Sequence, residues 1–84
     1  MAETLPQMIE RLRNKYTVGV EINKTGDSEG GNPELEVLLK AVIPAEDGGD
    51  ELVDDYECYY VIVDDNNLVL RVWDEYQKLS MRDA

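Results

Sequence analysis

The 84-residue sequence contains no histidine, no phenylalanine and only one cysteine, Cys58. Without histidine the chain cannot build an imidazole general base, a serine–histidine or cysteine–histidine nucleophile pair, or a histidine-ligated metal site. One cysteine cannot form an internal disulfide bond or a thiolate metal site, and at mid-strand Cys58 is expected to be a buried, inert thiol. We therefore expect a protein that is not an enzyme and has no catalytic residue, cofactor or metal.

Basic residues are also scarce. The chain has 8 lysines and arginines against 19 aspartates and glutamates, which gives a formal net charge of −11 at pH 7. Apolar residues make up 43% of the chain, which is normal for a folded domain and too many for an acidic disordered tail. Direct binding to DNA, RNA or an anionic membrane is disfavoured, because it requires clustered lysine and arginine. Any partner should therefore be basic.

Long apolar runs are missing as well. No run approaches the roughly 20 residues that a transmembrane helix needs, and residues 1–10 lack the basic start and apolar stretch of a signal peptide. We expect one domain over residues 1–84 in the reducing cytoplasm, which suits the unpaired Cys58. An exposed edge strand favours pairing of two copies but the charge opposes it, so we expect a monomer or a weak dimer.

The apolar spacing predicts an N-terminal helix over residues 5–15. Thr4 is placed to cap this helix, and Pro6 falls in the first turn, where a missing N–H group costs nothing. The residues that recur at helical spacing are Leu5, Met8, Ile9 and Leu12. One face of the helix should therefore pack against the rest of the domain.

Three segments have the composition and alternation of strands, over residues 16–23, 34–43 and 55–63. The stretches at 25–33 and 45–53 are rich in glycine and acids, which predicts loops between the strands. The third segment is apolar on both faces, which is typical of a central strand or of one covered by a helix.

The last segment fits two patterns. A turn at residues 64–67 followed by a strand to about Trp73 and a short helix over 74–81 is favoured by the β-branched and aromatic content. A continuous helix also fits, with an apolar stripe of Val69, Val72, Trp73, Tyr76 and Leu79. Both alternatives give an α+β fold with an N-terminal helix, a three- to four-stranded antiparallel sheet and a short C-terminal helix, the helices lying on one face of the sheet.

The acids are unevenly distributed. Between Lys40 and Arg71 the sequence has nine acids and no base. Acids two apart on a strand lie about 6.6–6.8 Å apart, which is close to two steps of about 3.4 Å along a DNA strand. Such carboxylates can stand in for phosphates, which predicts an anionic partner-binding surface. Its expected residues are Asp47, Asp50, Glu51, Asp54, Asp55, Asp64 and Asp65, with Glu34 and Glu36 as a second row.

Two alternatives to an anionic binding surface stay open. Acidic runs often serve only solubility, although a net charge of about 2–8 is enough for that in a small domain. A protein-interaction or regulatory domain would instead contact its partner through an apolar anchor of Tyr59, Val61 and Trp73. Calcium is not expected, because the acidic runs that begin at Asp47 and Asp64 lack the ligand spacing of an EF-hand loop.

A family resemblance points in the same direction as the charge. In size and charge the chain is similar to small acidic phage proteins that act on host nucleic-acid enzymes, namely uracil-DNA glycosylase inhibitors, anti-restriction proteins and anti-CRISPR proteins. One group of anti-CRISPR proteins opens with a short helix that ends in Asn-Lys and continues into a Tyr-Thr-Val strand. Residues 8–18 of this chain, MIERLRNKYTV, resemble that opening, and the predicted order of helix and strands resembles that group too.

The resemblance implies a function. Members of that group use carboxylates to occupy the surface with which a CRISPR nuclease reads duplex DNA. It therefore implies a phage-type inhibitor and a basic nucleic-acid-binding protein, such as a CRISPR effector, as its partner. This chain has a longer glycine-rich first loop than the group, and the resemblance assigns no individual contact residue.

Overall fold

A computed structural model describes residues 3–78 as a helix packed on a four-stranded antiparallel sheet. The helix α1 spans Leu5–Leu12, and the strands are β1 (Thr17–Asp27), β2 (Pro33–Pro44), β3 (Asp50–Val63) and β4 (Val69–Asp74). The strands lie in the order β1-β2-β3-β4, and each pairs antiparallel with its neighbours. A helical turn follows over residues 75–78, so the predicted α+β class is confirmed.

Helix α1 begins at a capping box. The Thr4 hydroxyl accepts a hydrogen bond from the Gln7 N–H at 3.3 Å, and the Thr4 N–H donates to Oε1 of Gln7 at 3.0 Å. The helix ends at Leu12, three residues before the predicted end. The reason is local, because the Asn14 side chain accepts a hydrogen bond from the Tyr16 N–H at 2.8 Å and so favours a turn over further helix.

The start of α1 is tied to the turn between β3 and β4. The Leu5 N–H donates to the Asn67 carbonyl at 2.7 Å, and the Val69 N–H donates to the Glu3 carbonyl at 2.8 Å. Asn67 adopts a positive φ of 62°, which asparagine tolerates better than most residues. These bonds set the helix against one face of the sheet.

The core lies between α1 and the middle of β2 and β3. Met8 is fully buried there against Val37, Leu39 and Val61, which are also fully buried. Along β2 and β3 these residues alternate with residues of the opposite face, as expected for pleated strands. The predicted placement of β3 as a central or helix-covered strand is confirmed, since the strand lies between β2 and β4 and its Val61 faces the helix.

Two predicted loops are shorter than expected. β1 continues to Asp27 instead of ending at residue 23, and β3 begins at Asp50 instead of residue 55. Backbone pairing continues through the acidic stretch, from Ala41 opposite Val53 to Pro44 opposite Asp50. The acids do not interrupt it, because their side chains remain in solvent. β1 starts at a residue paired with Ala41, so the end of the β2–β3 hairpin extends beyond β1.

The C-terminal segment follows the strand-then-helix alternative. β4 runs to Asp74, whose carboxylate accepts a hydrogen bond from the Gln77 N–H at 2.7 Å and so caps the turn over residues 75–78. Residues 79–81 of the predicted helix lie outside the described residues. The expectation that the helices share one face is wrong for the end of this turn, because Lys78 contacts Glu34 on the face opposite α1. Glu34 faces that side because its neighbour in the strand, Leu35, packs against the core.

Replacing Met8 tests how far the fold depends on this core. We expect Met8→Ala to lower the free energy of unfolding by about 2–5 kcal/mol, because it leaves a cavity between helix and sheet. Met8→Leu conserves volume and should cost less than about 1.5 kcal/mol. Urea unfolding followed by the fluorescence of Trp73, the only tryptophan, measures both. Equal stability of Met8→Ala and the parent protein would contradict this packing.

Candidate functional site

The densest negative charge lies on the far end of the β2–β3 hairpin, residues 41–56, which we call the acidic hairpin. This segment contains six acids and no base, and all six acids are exposed. They are Glu46, Asp47, Asp50, Glu51, Asp54 and Asp55. Six negative charges on sixteen residues account for more than half of the formal net charge of −11.

The turn of the acidic hairpin is held by its own backbone. The Ala45 N–H donates to the Gly49 carbonyl at 2.8 Å, and Gly48 adopts a φ of 88°, a conformation that favours glycine. The Asp47 carboxylate accepts a hydrogen bond from the Gly49 N–H at 3.1 Å. Asp47 therefore shapes the turn as well as carrying charge.

The carboxylates surround the hairpin and do not form one row. Asp50 lies opposite Pro44 and Glu51 lies opposite Ile43, and successive residues of a strand point to opposite faces. The hairpin therefore presents carboxylates on both of its faces. The carboxylates of this segment therefore do not follow the spacing of phosphates along one DNA strand.

A β-bulge lies at the base of the acidic hairpin. Residues 54–56 are inserted opposite Lys40, between the pairs of Leu39 with Glu57 and of Ala41 with Val53. Asp55 in this bulge has a positive φ of 56°, which aspartate accepts more readily than most residues. Lys40 lies 3.7 Å from a carboxylate oxygen of its neighbour Asp54, so this lysine offsets one of the six charges.

The nine predicted site residues are not gathered into one surface. Asp64 and Asp65 follow the other end of β3, and fourteen strand residues at about 3.3 Å each place them roughly 40 Å from Asp50. The longest dimension of the molecule is 49 Å. Bases are also present at that second end, where Lys24 pairs with Asp27 at 3.1 Å. Only the five predicted residues from 47 to 55 lie together.

Asp64 has a structural role at that second end. Its carboxylate accepts hydrogen bonds from the N–H groups of Asn66 at 2.8 Å and Leu68 at 2.9 Å. These bonds close the turn that is tied to the start of α1. Asp65 is exposed in the same turn.

Glu34 and Glu36, the second predicted row, already form hydrogen bonds within the protein. Glu34 accepts hydrogen bonds from Lys78 at 3.1 Å and from the Thr25 hydroxyl at 3.2 Å, and it forms an ion pair with Lys78 in which both side chains are less than 20% exposed. The Glu36 carboxylate accepts a hydrogen bond from the Tyr60 hydroxyl at 3.4 Å. Both carboxylates therefore help to hold the sheet face opposite α1.

The alternative apolar anchor does not exist as one surface. Val61 is fully buried under α1, and Tyr59 is half-buried on that same face with its hydroxyl donating to Glu57 at 2.9 Å. Trp73 is 9% exposed and lies on the opposite face, because it pairs with Tyr60. Arg71 and Lys78 lie 4.9 and 4.8 Å from the centre of the Trp73 ring.

The exposed apolar side chains are residues other than Tyr59, Val61 and Trp73. The exposure of one of them, Leu52, was not predicted from the sequence. Leu52 is 60% exposed on the acidic hairpin, in a stretch that was predicted to be a loop. The sequence did contain an indication of this exposed leucine, because Leu52 directly follows two acids, Asp50 and Glu51.

Cys58 is half-buried and not fully buried as predicted. Burial raises the pKa of its thiol above the ordinary value, and the nearby charges of Glu36, Glu75 and Asp55 raise it further, against a lowering by a hydrogen bond with Tyr60. A raised pKa reduces the reactive thiolate fraction. Among residues 3–78 no cluster of three or more cysteine, aspartate or glutamate side chains is arranged to hold a metal ion.

Within the described part of the chain, no helix has the length and apolar content needed to cross a membrane. Comparison with protein-family models, with curated proteins and with solved structures finds no match for this chain. Its function is therefore inferred from the chemistry and placement of its surface residues.

Asp64 and Asp65 offer a matched test of structural against surface acids. We expect Asp64→Ala to lower the free energy of unfolding by about 1–2 kcal/mol, because two backbone N–H groups lose their acceptor. Asp65→Ala should change it by less than about 0.5 kcal/mol, as is usual for a surface substitution. Urea unfolding measures both. Equal effects of the two substitutions would contradict the structural role of Asp64.

Proposed function

We propose that this protein is a non-enzymatic inhibitor that mimics nucleic acid. Its acidic hairpin would enter the basic channel of a DNA- or RNA-handling protein, such as a CRISPR effector, and exclude the true substrate. The observation that carries the proposal is the placement of six exposed carboxylates and no base on a hairpin that extends beyond β1.

The shape of the hairpin suits a channel more than a flat surface. A two-stranded ribbon has its strands about 4.8 Å apart, and this one carries Asp50 and Glu51 on opposite faces. It therefore offers negative charge to both walls of a basic groove. A nucleic-acid strand also presents its charge in several directions, so this mimicry rests on the sign and density of charge.

The expected energetics are those of electrostatic steering. Exposed ion pairs contribute about 0.2–1 kcal/mol each, so six of them give a modest total before any burial in the channel. Their larger effect is on the association rate and on the rejection of partners with the wrong charge. Binding of this kind weakens as salt rises.

The position of the charge also limits its cost to the fold. The six acids lie on a hairpin that extends away from the layer between α1 and the sheet, where Met8 and Val61 are fully buried. Charges separated by more than roughly 8–10 Å of solvent are largely screened at physiological salt. The repulsion among the six acids therefore acts mainly on the hairpin itself and less on the core.

Two further features support a nucleic-acid-handling protein as the target. Residues 8–18 resemble the opening of anti-CRISPR proteins, and the unpaired Cys58 agrees with a reducing cytoplasm, where phage inhibitors meet host nucleic-acid enzymes. The lack of a basic cluster on the hairpin makes direct binding to DNA or RNA unfavourable. The proposed partner is thus a basic protein.

A displacement assay tests the proposal. Labelled duplex DNA is bound to each of three purified proteins, an RNA-guided CRISPR nuclease, a restriction endonuclease and a uracil-DNA glycosylase, at about 50 and 200 mM salt. We expect this protein to displace the duplex from at least one of them, and more effectively at the lower salt. Absence of displacement from all three at the lower salt would reject the proposal.

A triple variant locates the effect on the acidic hairpin. Asp50→Asn, Glu51→Gln and Asp55→Asn together remove three exposed charges and keep similar shapes, and asparagine also tolerates the positive φ of position 55. We expect about tenfold weaker displacement at about 50 mM salt, since three exposed pairs sum to roughly 1.5 kcal/mol, and a smaller loss at about 200 mM.

The matched control removes the same number of charges elsewhere. Glu10, Glu29 and Asp65 are exposed on the helix and on the loops at the other end of the sheet. Changing them together to Gln, Gln and Asn should leave displacement within about twofold of the parent protein, because distant exposed charges are screened. Equal losses in the two triple variants would show that net charge alone acts, and not the hairpin.

A further inference from the structure

Within residues 3–78, nothing covers the sheet face opposite α1 near the acidic hairpin. Helix α1 covers the face that contains Val37 and Leu39. Among the described residues, Lys78 reaches the opposite face at its other end, where it contacts Glu34 and the rings of Tyr60 and Trp73. No described helix covers the half of this face that leads into the hairpin.

Three aliphatic side chains lie on this open half, and we call them the apolar strip. They are Leu38, Val42 and Leu52. Leu38 and Val42 face away from α1, because they alternate with the buried Leu39 and Ala41. Leu52 shares that face, because it lies directly opposite Val42, and residues directly opposite each other in paired strands share a face.

Acids border the strip. Glu21 lies opposite Leu38 on β1, and Asp50 lies opposite Pro44, which shares the face of Val42. Lys40 shares this face and lies between Leu38 and Val42, where its ammonium group is 3.7 Å from a carboxylate oxygen of Asp54. An apolar centre within a charged rim is the usual arrangement of a protein–protein contact.

We infer that the apolar strip docks an apolar side chain of the same basic partner protein that the acidic hairpin enters, with Leu52 as the anchor. This inference rests on the proposed function and adds to it. Leu52 is 60% exposed and is the most exposed member of the strip, since Leu38 and Val42 are half-buried. The bordering acids require a partner whose surface around the contact is positive.

Charge complementarity decides between a basic partner and a second copy of the chain. Two copies joined through this strip would bring Glu21 and Asp50 of each close to the same acids of the other, with a formal charge of −11 on each chain. Like charges that face each other across an interface oppose association. A lysine- or arginine-rich protein surface instead gains from each of these contacts.

The two kinds of contact predict different kinetics. Rim charges mainly change the association rate and its salt dependence, whereas a buried apolar anchor mainly changes the dissociation rate. Removing the Leu52 side chain should therefore weaken binding at every salt concentration. Removing carboxylates should weaken it mostly at low salt.

Direct binding of Leu52→Ala tests the inference. The chain carries a fluorophore on its N-terminal amine, and its anisotropy is measured with each of the three DNA-binding proteins at about 50 and 200 mM salt. We expect Leu52→Ala to weaken binding at least about tenfold at both salt concentrations, mainly through faster dissociation. The control Leu70→Ala, which truncates a leucine 49% exposed on β4, should bind like the parent chain.

The outcomes separate the role of the apolar strip from the mimicry of nucleic acid. Unchanged binding of Leu52→Ala, or an equal loss in Leu70→Ala, overturns the role of the strip, and the acidic triple variant still tests the mimicry. Binding that depends on Leu52 but displaces no duplex keeps the docking surface and rejects the mimicry. Absence of binding to all three proteins overturns both. Melting curves of the variants confirm that each one is folded.

Discussion

The packing of α1 against one face of the sheet is the contact on which the rest of this molecule depends. Met8 closes that layer against Val37 and Val61, and all three are fully buried. In so small a domain, a single layer of this kind must supply most of the stabilising burial. The hydrogen bonds that join Leu5 to Asn67 and Glu3 to Val69 hold the helix over that layer, so the position of the helix and the order of the strands reinforce each other.

Among the described residues, the core under α1 leaves the half of the other sheet face next to the acidic hairpin uncovered, while Trp73 is buried at the other end of that face. The six acids of the acidic hairpin lie away from the core, so their mutual repulsion acts mainly on the hairpin itself. The same hairpin carries the exposed Leu52. One element thus combines the exposed carboxylates and the exposed leucine on which the proposed binding depends, while Glu34 and Asp64 are used within the protein, in an ion pair and in a turn.

The sequence predicted the fold better than the site. The helix, the antiparallel strands and the change from strand to helix near Trp73 agree with the structure, because they depend on local periodicity and capping. The anionic surface was predicted as a single surface of seven acids with Glu34 and Glu36 as a second row. It failed because a strand of fourteen residues separates Asp50 from Asp64, and because Glu34 has a lysine partner 44 residues later in the chain. The phosphate mimicry and its target remain proposals.

The sequence by itself determined the chemical limits of this protein, namely its excess of acids, its lack of histidine and the stretch between Lys40 and Arg71 without a base. Those properties are sums over residues and need no coordinates. Only the tertiary structure decided which acids remain exposed, because their partners within the protein can lie far away in the sequence. β2 and β3 stay paired through residues that were expected to form a loop, because continued backbone pairing outweighs the turn preference of isolated aspartates. This pairing places five predicted acids and Leu52 on one projecting hairpin.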